Sequence, residues 1–260
     1  MSGVIAWKGE SRIDKGPIVC IVTNLGDRKV DRTSNKKIGE SMVQTWILRE
    51  DVSPTVAINM GLDESICGDC ALRGYIEEAP WGKVNRSRGC YVAVQNAPRG
   101  IWMAYKRGVY TPLEDETWPG RPTRLGAYGD PAAIPFRVNK NLISRGDGWV
   151  GYSHQWKHEK FQPMRKFCMA SVNSIEEKWE ANKKGWRTFR VLMPGDELDS
   201  DEFLCPASEE EMYRLTCDTC RACSGVGEEL SRVQGANVAI YAHGSKAVLS
   251  GLKRTIGENL

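Results

Sequence analysis

The chain has 260 residues, with 36 Lys and Arg against 33 Asp and Glu, so its formal net charge is +3. Hydrophobic residues make up 41% and charged residues 27%, a composition that excludes disorder, collagen and coiled coil. No apolar run approaches the roughly 20 residues that a membrane span needs, and residues 1–15 lack the apolar core of a signal peptide. We therefore expect a cytoplasmic protein without membrane association. The weak charge leaves nucleic acid open as a partner, and the oligomeric state stays undetermined.

The first part of the chain predicts a short β-rich lead-in over residues 1–52, from apolar stretches at 18–23 and 42–48. From residue 53, short apolar runs alternate with helical or loop segments, which is typical of βα units and a parallel sheet. Strands are predicted at 55–60, 124–128, 149–153, 167–171, 188–192, 203–206 and 237–241.

Helices are predicted between these strands. Residues 97–110 have helical length and spacing, and 175–184 form a helix with Ser174 as its N-cap, Glu177 at the third helical position and Gly185 after its end. The predicted fold is α/β: a (β/α) barrel, full or partial, over residues 53–260. A doubly wound open sheet is the alternative.

Polar residues lie near the C-terminal ends of different predicted strands. In a barrel these ends form one face, and that face carries the chemistry. The residues in question are Cys67, Asp130, His154, Ser171, Asn173, Cys205 and His243.

The nine cysteines are the most conspicuous feature. Without a secretory signal, clustered cysteines predict metal ligands before disulfides. Cys217, Cys220 and Cys223 form the run C-x-x-C-x-x-C, and Cys205 upstream completes four thiolates. Either a [4Fe–4S] cluster or a tetrahedral zinc suits this set.

Cys67 and Cys70 form a C-x-x-C pair, which Cys90 can join as a third ligand. Three protein ligands leave one metal position open, as a catalytic metal or substrate-binding cluster requires. A redox pair and inert thiols are the alternatives. Cys20 and Cys168 lie within apolar runs and are expected to be packing residues.

Two histidines are candidates for the pocket. His154, at a strand end, is favoured as a pocket residue over a histidine metal site shared with His158. His243 is a similar candidate and could also be a fourth ligand to the late cysteine run.

Asp130 follows Gly126-Ala-Tyr-Gly129, where glycines allow a sharp turn or close approach to a ligand. A carboxylate there can bind an amine or hydroxyl or act as a base, and the alternative is capping before Pro131.

A first strand, a loop with Cys67, Cys70 and Cys90, and a Gly-containing second strand end at 126–131 resemble the layout of radical-SAM barrels. In that family the first three cysteines are closely spaced and the strand-end acid is Glu. The resemblance implies a [4Fe–4S] cluster with one open iron for S-adenosylmethionine and an auxiliary cluster on Cys205, Cys217, Cys220 and Cys223. The implied catalytic residues are Asp130 and His154, and the implied cofactor-binding residues are Gly126, Gly129, Asp130, Ser171 and Asn173.

A second resemblance covers roughly residues 53–245. The motifs Gly-Asp130, Gly-Tyr-Ser-His154, Met-Ala-Ser-Val-Asn-Ser174, Gly-Trp-Arg187, Cys-Pro-Ala-Ser208 and Cys-Asp-Thr-Cys-Arg-Ala-Cys223 are similar to phage-encoded cysteine-rich proteins of the gene product 88 type. This resemblance implies a viral origin, a location in the host cytoplasm and no settled activity.

Three hypotheses follow. The first is a radical-SAM-like iron–sulfur enzyme with a catalytic and an auxiliary cluster. The second is a zinc-stabilised phage protein that binds nucleic acid or a host protein. The third is a base-exchange enzyme on a barrel, with a structural zinc held by the late cysteine run and His243. The sequence does not name the substrate.

Overall fold

The computed structural model describes residues 3–26, 37–39, 41–114, 118–227, 236–244 and 246–257. The strands are β1 (Gly3–Glu10), β2 (Pro17–Thr23), β3 (Val43–Arg49), β4 (Tyr75–Ala79), β5 (Gly82–Arg86), β6 (Thr111–Pro112), β7 (Thr123–Tyr128), β8 (Trp149–Ser153), β9 (Met169–Val172), β10 (Thr188–Leu192), β11 (Glu202–Leu204) and β12 (Asn237–Tyr241). The α-helices are α1 (Pro54–Met60), α2 (Glu64–Cys67), α3 (Ala97–Lys106), α4 (Phe136–Ser144), α5 (Ile175–Lys183), α6 (Cys217–Cys220) and α7 (Lys246–Gly257). None of these described helices has the length and apolar character needed to cross a membrane.

The fold is mixed α/β, built on a 10-stranded sheet with the order β11-β12-β10-β9-β8-β7-β3-β2-β1-β6. Within this sheet every strand except β2 runs in the same direction. β4 and β5 form a separate antiparallel hairpin. From β3 to β10, adjacent strands of the sheet follow one another in chain order. β12 then lies between β10 and β11. The edge strands β11 and β6 do not pair with each other in the described residues, so a closed barrel is not seen.

The two faces of the parallel strands carry different residues because side chains alternate along a strand. On one face, Leu125, Trp149, Ala170 and Val172 pack in a hydrophobic cluster with residues of α4 and α5. We call the other face the inner face. It carries Gln44, Trp46, Arg124, Tyr128, Val150, Tyr152, Ser171, Phe189, Val191 and Ile240, which line a cavity.

The first strands, β1 to β3, lie within the predicted lead-in and form an antiparallel meander that belongs to the same sheet. β2 and β3 are buried almost throughout, because they are covered on both faces. Cys20 lies in this core and Cys168 in the cluster under α4 and α5, both fully buried, as the packing prediction requires.

The predicted strand at 55–60 is wrong, because these residues form α1. Ser53 caps the helix by accepting a hydrogen bond from the Val56 N–H, Pro54 starts it, and Gly61 ends it in the left-handed region. A short apolar run does not distinguish a strand from a helix. β3 is therefore the first strand of the continuous parallel run that goes on through β7, β8, β9 and β10, and the loop carrying Cys67, Cys70 and Cys90 follows it.

The remaining predicted strands correspond to β7, β8, β9, β10, β11 and β12, and the two predicted helices to α3 and α5. At α5, the Ser174 hydroxyl accepts from the Glu177 N–H at 3.2 Å. The Glu177 carboxylate accepts from the Asn173 N–H at 2.8 Å instead of from Ser174. β1 and the β4–β5 hairpin were not predicted.

Candidate metal and ligand site

A cavity of about 680 Å³ lies against the inner face of the sheet. Its walls come from six parallel strands and from the loops after β2, β3, β5, β7, β8, β11 and β12. Aromatic and aliphatic side chains dominate, among them Trp46, Tyr152, Phe189 and Ile240. Five cysteines also line it: Cys67, Cys70, Cys90, Cys205 and Cys217. Both predicted cysteine sets therefore reach one cavity.

The early cysteine set consists of Cys67, Cys70 and Cys90, which we call the triad. Burial raises the pKa of all three thiols, that of Cys70 to about 12. The thiolates of Cys70 and Cys90 raise the pKa of Cys67 further, as does Asp63. The three thiols therefore lie close enough to influence one another's ionisation. A metal is the partner that favours thiolates in such a buried place.

The loop that carries Cys67 and Cys70 is fixed by charged and amide side chains. Arg73 donates to the Asp63 carboxylate at 2.8 Å and to the Gly61 carbonyl at 3.1 Å. Gln155, after β8, donates to the Cys67 carbonyl at 3.0 Å. These bonds attach the loop to the sheet and hold its two thiols toward the cavity.

The long interval between Cys70 and Cys90 is closed by the β4–β5 hairpin. The strands pair from Tyr75 with Arg86 to Ala79 with Gly82. At the base of the hairpin, the Gly89 N–H donates to the Leu72 carbonyl at 3.1 Å. The hairpin returns the chain to its starting point, so Cys90 lies beside the pair despite the separation in sequence.

The C-terminal helix α7 packs on the segment before Cys90. A Cβ on Gly251 would lie 2.5 Å from the Arg88 carbonyl oxygen, and one on Gly89 would lie 2.9 Å from the Leu252 nitrogen. The backbones are therefore in direct contact, which glycine permits.

His243, just before α7, stacks on Tyr91 with ring centroids 4.8 Å apart. The structure thus places His243 next to the triad, while its Nδ1 contacts the Tyr241 carbonyl at 3.0 Å.

The late cysteine set, which we call the quartet, consists of Cys205, Cys217, Cys220 and Cys223. All four pack in one hydrophobic cluster with Met42, Val150 and Val238 on the inner face. Burial raises the pKa of Cys217 to about 11, Arg124 lowers it, and the thiolates of Cys205 and Cys220 raise it. The four quartet residues therefore pack in one part of the fold, on the same hydrophobic cluster.

Backbone hydrogen bonds hold the quartet segments to the rest of the fold. The Cys217 N–H donates to the Lys37 carbonyl at 2.9 Å, and the Cys205 N–H to the Ala239 carbonyl at 2.8 Å. The Gly151 N–H donates to the Cys223 carbonyl at 2.9 Å, so this segment is bonded directly to β8. α6 begins with a capping box formed by Thr216 and Thr219.

The spacing of these thiols bears on the kind of metal. Among the described residues, no group of three or more His, Cys, Asp or Glu side chains is close enough together to hold one metal ion. Thiolates around a single zinc are about 3.8 Å apart, from the Zn–S length and tetrahedral geometry. In a four-iron cluster each cysteine binds a different iron, so the sulfurs stand farther apart. Cysteine thiols, present here in sets of three and four, are the donors that such a cluster takes.

Asp130 caps the turn that follows β7. Its Oδ1 accepts from the Ala132 N–H at 2.9 Å and from the Ser153 hydroxyl at 2.8 Å, and its Oδ2 accepts from the His154 N–H at 2.7 Å. Burial raises its pKa. Although Asp130 lines the cavity, three donors already occupy its carboxylate, as the capping alternative requires.

The other predicted pocket residues divide into two groups. His154, Ser171, Gly126 and Gly129 line the cavity, whereas Asn173 does not. Burial lowers the pKa of His154, so its imidazole is neutral, and its Nε2 is buried without a hydrogen-bond partner in the described chain.

His158 lies at the surface, where its Nε2 is 3.0 Å from an Asp69 oxygen. The structure does not bring His158 and His154 together as metal ligands in its described residues.

Gly126 and Gly129 have backbone roles. Their φ angles are +64° and +81°. The register of β7 against β3 shifts between Gln44, paired with Arg124, and Trp46, paired with Tyr128. The Thr45 hydroxyl fills this bulge by accepting from the Gly126 N–H at 2.8 Å. The bulge directs the end of β7 into the cavity, a common use of bulges beside functional sites.

Sequence reasoning missed two cavity residues, Arg124 and Tyr128. Both lie on the inner face of β7, and each has a buried polar atom, Arg124 Nε and Tyr128 Oη, without a partner among the described residues. Alternation along the predicted strand 124–128 was the available signal, since it places both side chains on the same face.

No protein-family model, no curated protein and no solved structure matches the chain. The site is therefore interpreted from its own geometry.

Proposed function

We propose that this chain is an iron–sulfur enzyme that resembles radical-SAM enzymes, with its parallel strands forming a partial (β/α) barrel around the cavity. The observation that carries the proposal is the convergence of two separate buried cysteine sets on one cavity. The loop order supports it, because the triad follows β3, the first strand of the continuous parallel run, and the glycine-containing turn follows β7, the next one in the sheet.

The triad would hold the catalytic [4Fe–4S] cluster and the quartet an auxiliary one. With one iron free of protein ligands, the catalytic cluster would bind S-adenosylmethionine and supply the one-electron reduction that radical chemistry on it needs. In this proposal three cysteines remain the only protein ligands of the first cluster, which keeps a position open.

The chain's own residues prepare this chemistry. Arg73 and Gln155 fix the loop of Cys67 and Cys70, and α7 fixes the segment of Cys90. Asp130 organises the two strand ends beside the triad through Ser153 and His154. Aromatic and aliphatic side chains such as Trp46, Phe189 and Ile240 would shield a reacting centre from part of the solvent.

The zinc hypothesis of a base-exchange enzyme has less support. The third hypothesis needs His243 as a ligand beside the quartet, whereas His243 stacks on Tyr91, next to Cys90. The viral origin implied by the gene product 88 resemblance stays a prediction.

Cleavage of S-adenosylmethionine tests the proposal. Anaerobically prepared, dithionite-reduced protein is incubated with S-adenosylmethionine, and 5′-deoxyadenosine is measured by chromatography. Cys70→Ala should abolish product because it removes a triad ligand, and Cys20→Ala, a buried thiol outside both sets, should leave it unchanged. Iron-loaded wild-type protein that forms no 5′-deoxyadenosine would contradict the enzymatic proposal.

A further inference from the structure

Four buried polar atoms of residues that line the cavity lack partners among the described residues: Tyr91 Oη, Arg124 Nε, Tyr128 Oη and His154 Nε2. A buried polar group without a hydrogen bond is destabilising, so native proteins rarely keep several together. The guanidinium and the phenols are donors, and a neutral imidazole either donates or accepts through Nε2. The cavity wall is therefore rich in hydrogen-bond donors that the described residues leave unpaired.

The cavity offers no acidic partner to balance these donors. Its lining contains one carboxylate, Asp130, whose two oxygens accept from Ala132, Ser153 and His154. No described carboxylate is paired with Arg124, and its positive charge lowers the pKa of the Cys217 thiol. A cationic ligand would find no counter-charge here, whereas an anion would find Arg124.

The bulge in β7 sets the distance between the two ends of this donor set. Arg124 pairs with Gln44 and Tyr128 with Trp46, so the four-residue step on β7 spans only two residues of β3. At about 3.3 Å per residue, Arg124 and Tyr128 start roughly 7 Å apart along the strand. Aromatic rings of Trp46, Tyr152 and Phe189 stand around them.

We propose that this cavity binds an organic anion with a flat apolar body, whose anionic group pairs with Arg124 and whose second acceptor reaches Tyr128 and His154. This ligand class is the substrate class of the proposed enzyme, and in that sense it rests on the proposed function. The three recognising side chains are not cysteines, so binding is measured in both iron-free and iron-loaded protein.

The probe is 1-anilinonaphthalene-8-sulfonate, whose fluorescence rises in apolar surroundings, titrated into the full-length protein. The matched probe is N-phenyl-1-naphthylamine, the same ring system without the sulfonate. Arg124→Gln should weaken sulfonate binding about tenfold or more, because a charge-assisted hydrogen bond is lost, and change naphthylamine binding less than twofold. Arg124→Lys should recover part of the loss, and Arg137→Gln, at an exposed site on α4, should have no effect.

A displacement experiment tests the second acceptor. Naphthalene-1,5-disulfonate should displace the fluorescent probe at lower concentration than naphthalene-1-sulfonate does, and Tyr128→Phe should remove most of this advantage. The inference is overturned if Arg124→Gln leaves sulfonate binding within twofold, or if both fluorescent probes weaken equally. Retained anion binding in protein that cleaves no S-adenosylmethionine would contradict the enzyme while leaving the ligand class intact.

Discussion

Replacing Asp130 by Asn separates its structural role from a catalytic one. The Asn oxygen can still accept from the Ala132 N–H and the Ser153 hydroxyl, but its amide NH₂ then faces the His154 N–H, which now donates to Oδ2 at 2.7 Å. One hydrogen bond to a charged group is lost, worth about 1.5–3 kcal/mol, and a buried N–H is left unpaired. Removing a buried carboxylate offsets part of this loss, because burial raises the pKa of Asp130. We expect a net destabilisation of about 2 kcal/mol.

Urea unfolding followed by circular dichroism measures this change in the free energy of unfolding. Asp147→Asn is the matched control, because the Asp147 side chain is 70% exposed and pairs with Arg221 at the surface. It should change the free energy of unfolding by no more than about 0.5 kcal/mol. If Asp130→Asn keeps full stability but loses activity, the carboxylate is a catalytic group and the capping interpretation is refuted.

Three further predictions concern single residues. Burial lowers the pKa of His154 in the folded protein below its ordinary value of about 6.5. The free energy of unfolding should therefore be fully present above that pH and fall as the pH drops through the folded-state pKa, because protonation then favours the unfolded chain. In urea unfolding at a series of pH values, His154→Gln should flatten this dependence. Gly251→Ala should reduce the iron content, because the added Cβ disturbs the segment that carries Cys90. Gly100→Ala is the control, since its added Cβ meets nothing within 4 Å, and it should leave the iron content unchanged. Equal iron in both variants would be evidence against the contact with α7. Gly129→Ala should lower the melting temperature for two reasons: its Cβ would lie 2.7 Å from the Ile47 backbone, and the φ of +81° at Gly129 disfavours alanine. An unchanged melting temperature would disprove this strain.

Much of the parallel sheet could be predicted from sequence because its strands are short apolar runs between loop signals. The predicted strands 188–192 and 237–241 coincide with β10 and β12. The run at 55–60 is equally apolar, but Ser53 and Pro54 start a helix there, and the flanking signals decide the outcome. The hairpin β4–β5 was missed because its residues are mostly exposed and polar, so no alternation marks them.

The candidate site was predictable in part, because cysteine spacing is a local pattern. The return of Cys90 to Cys67 and Cys70 depends on a hairpin and on α7, which no local pattern reveals. Arg124 and Tyr128 were missed for a related reason, since only pairing with β3 shows which face of β7 meets the cavity. Asn173 was expected there but lies at the N-terminus of α5, where Glu177 binds its N–H.

The central claim is that buried thiols hold two separate iron–sulfur clusters at one cavity. Iron, acid-labile sulfide and zinc, counted per chain in protein purified without oxygen, test it most directly. We predict about eight irons and eight sulfides in wild type, and about four of each when Cys67→Ala removes one cluster or Cys220→Ala the other. One zinc per chain, or protein free of metal, would contradict the claim.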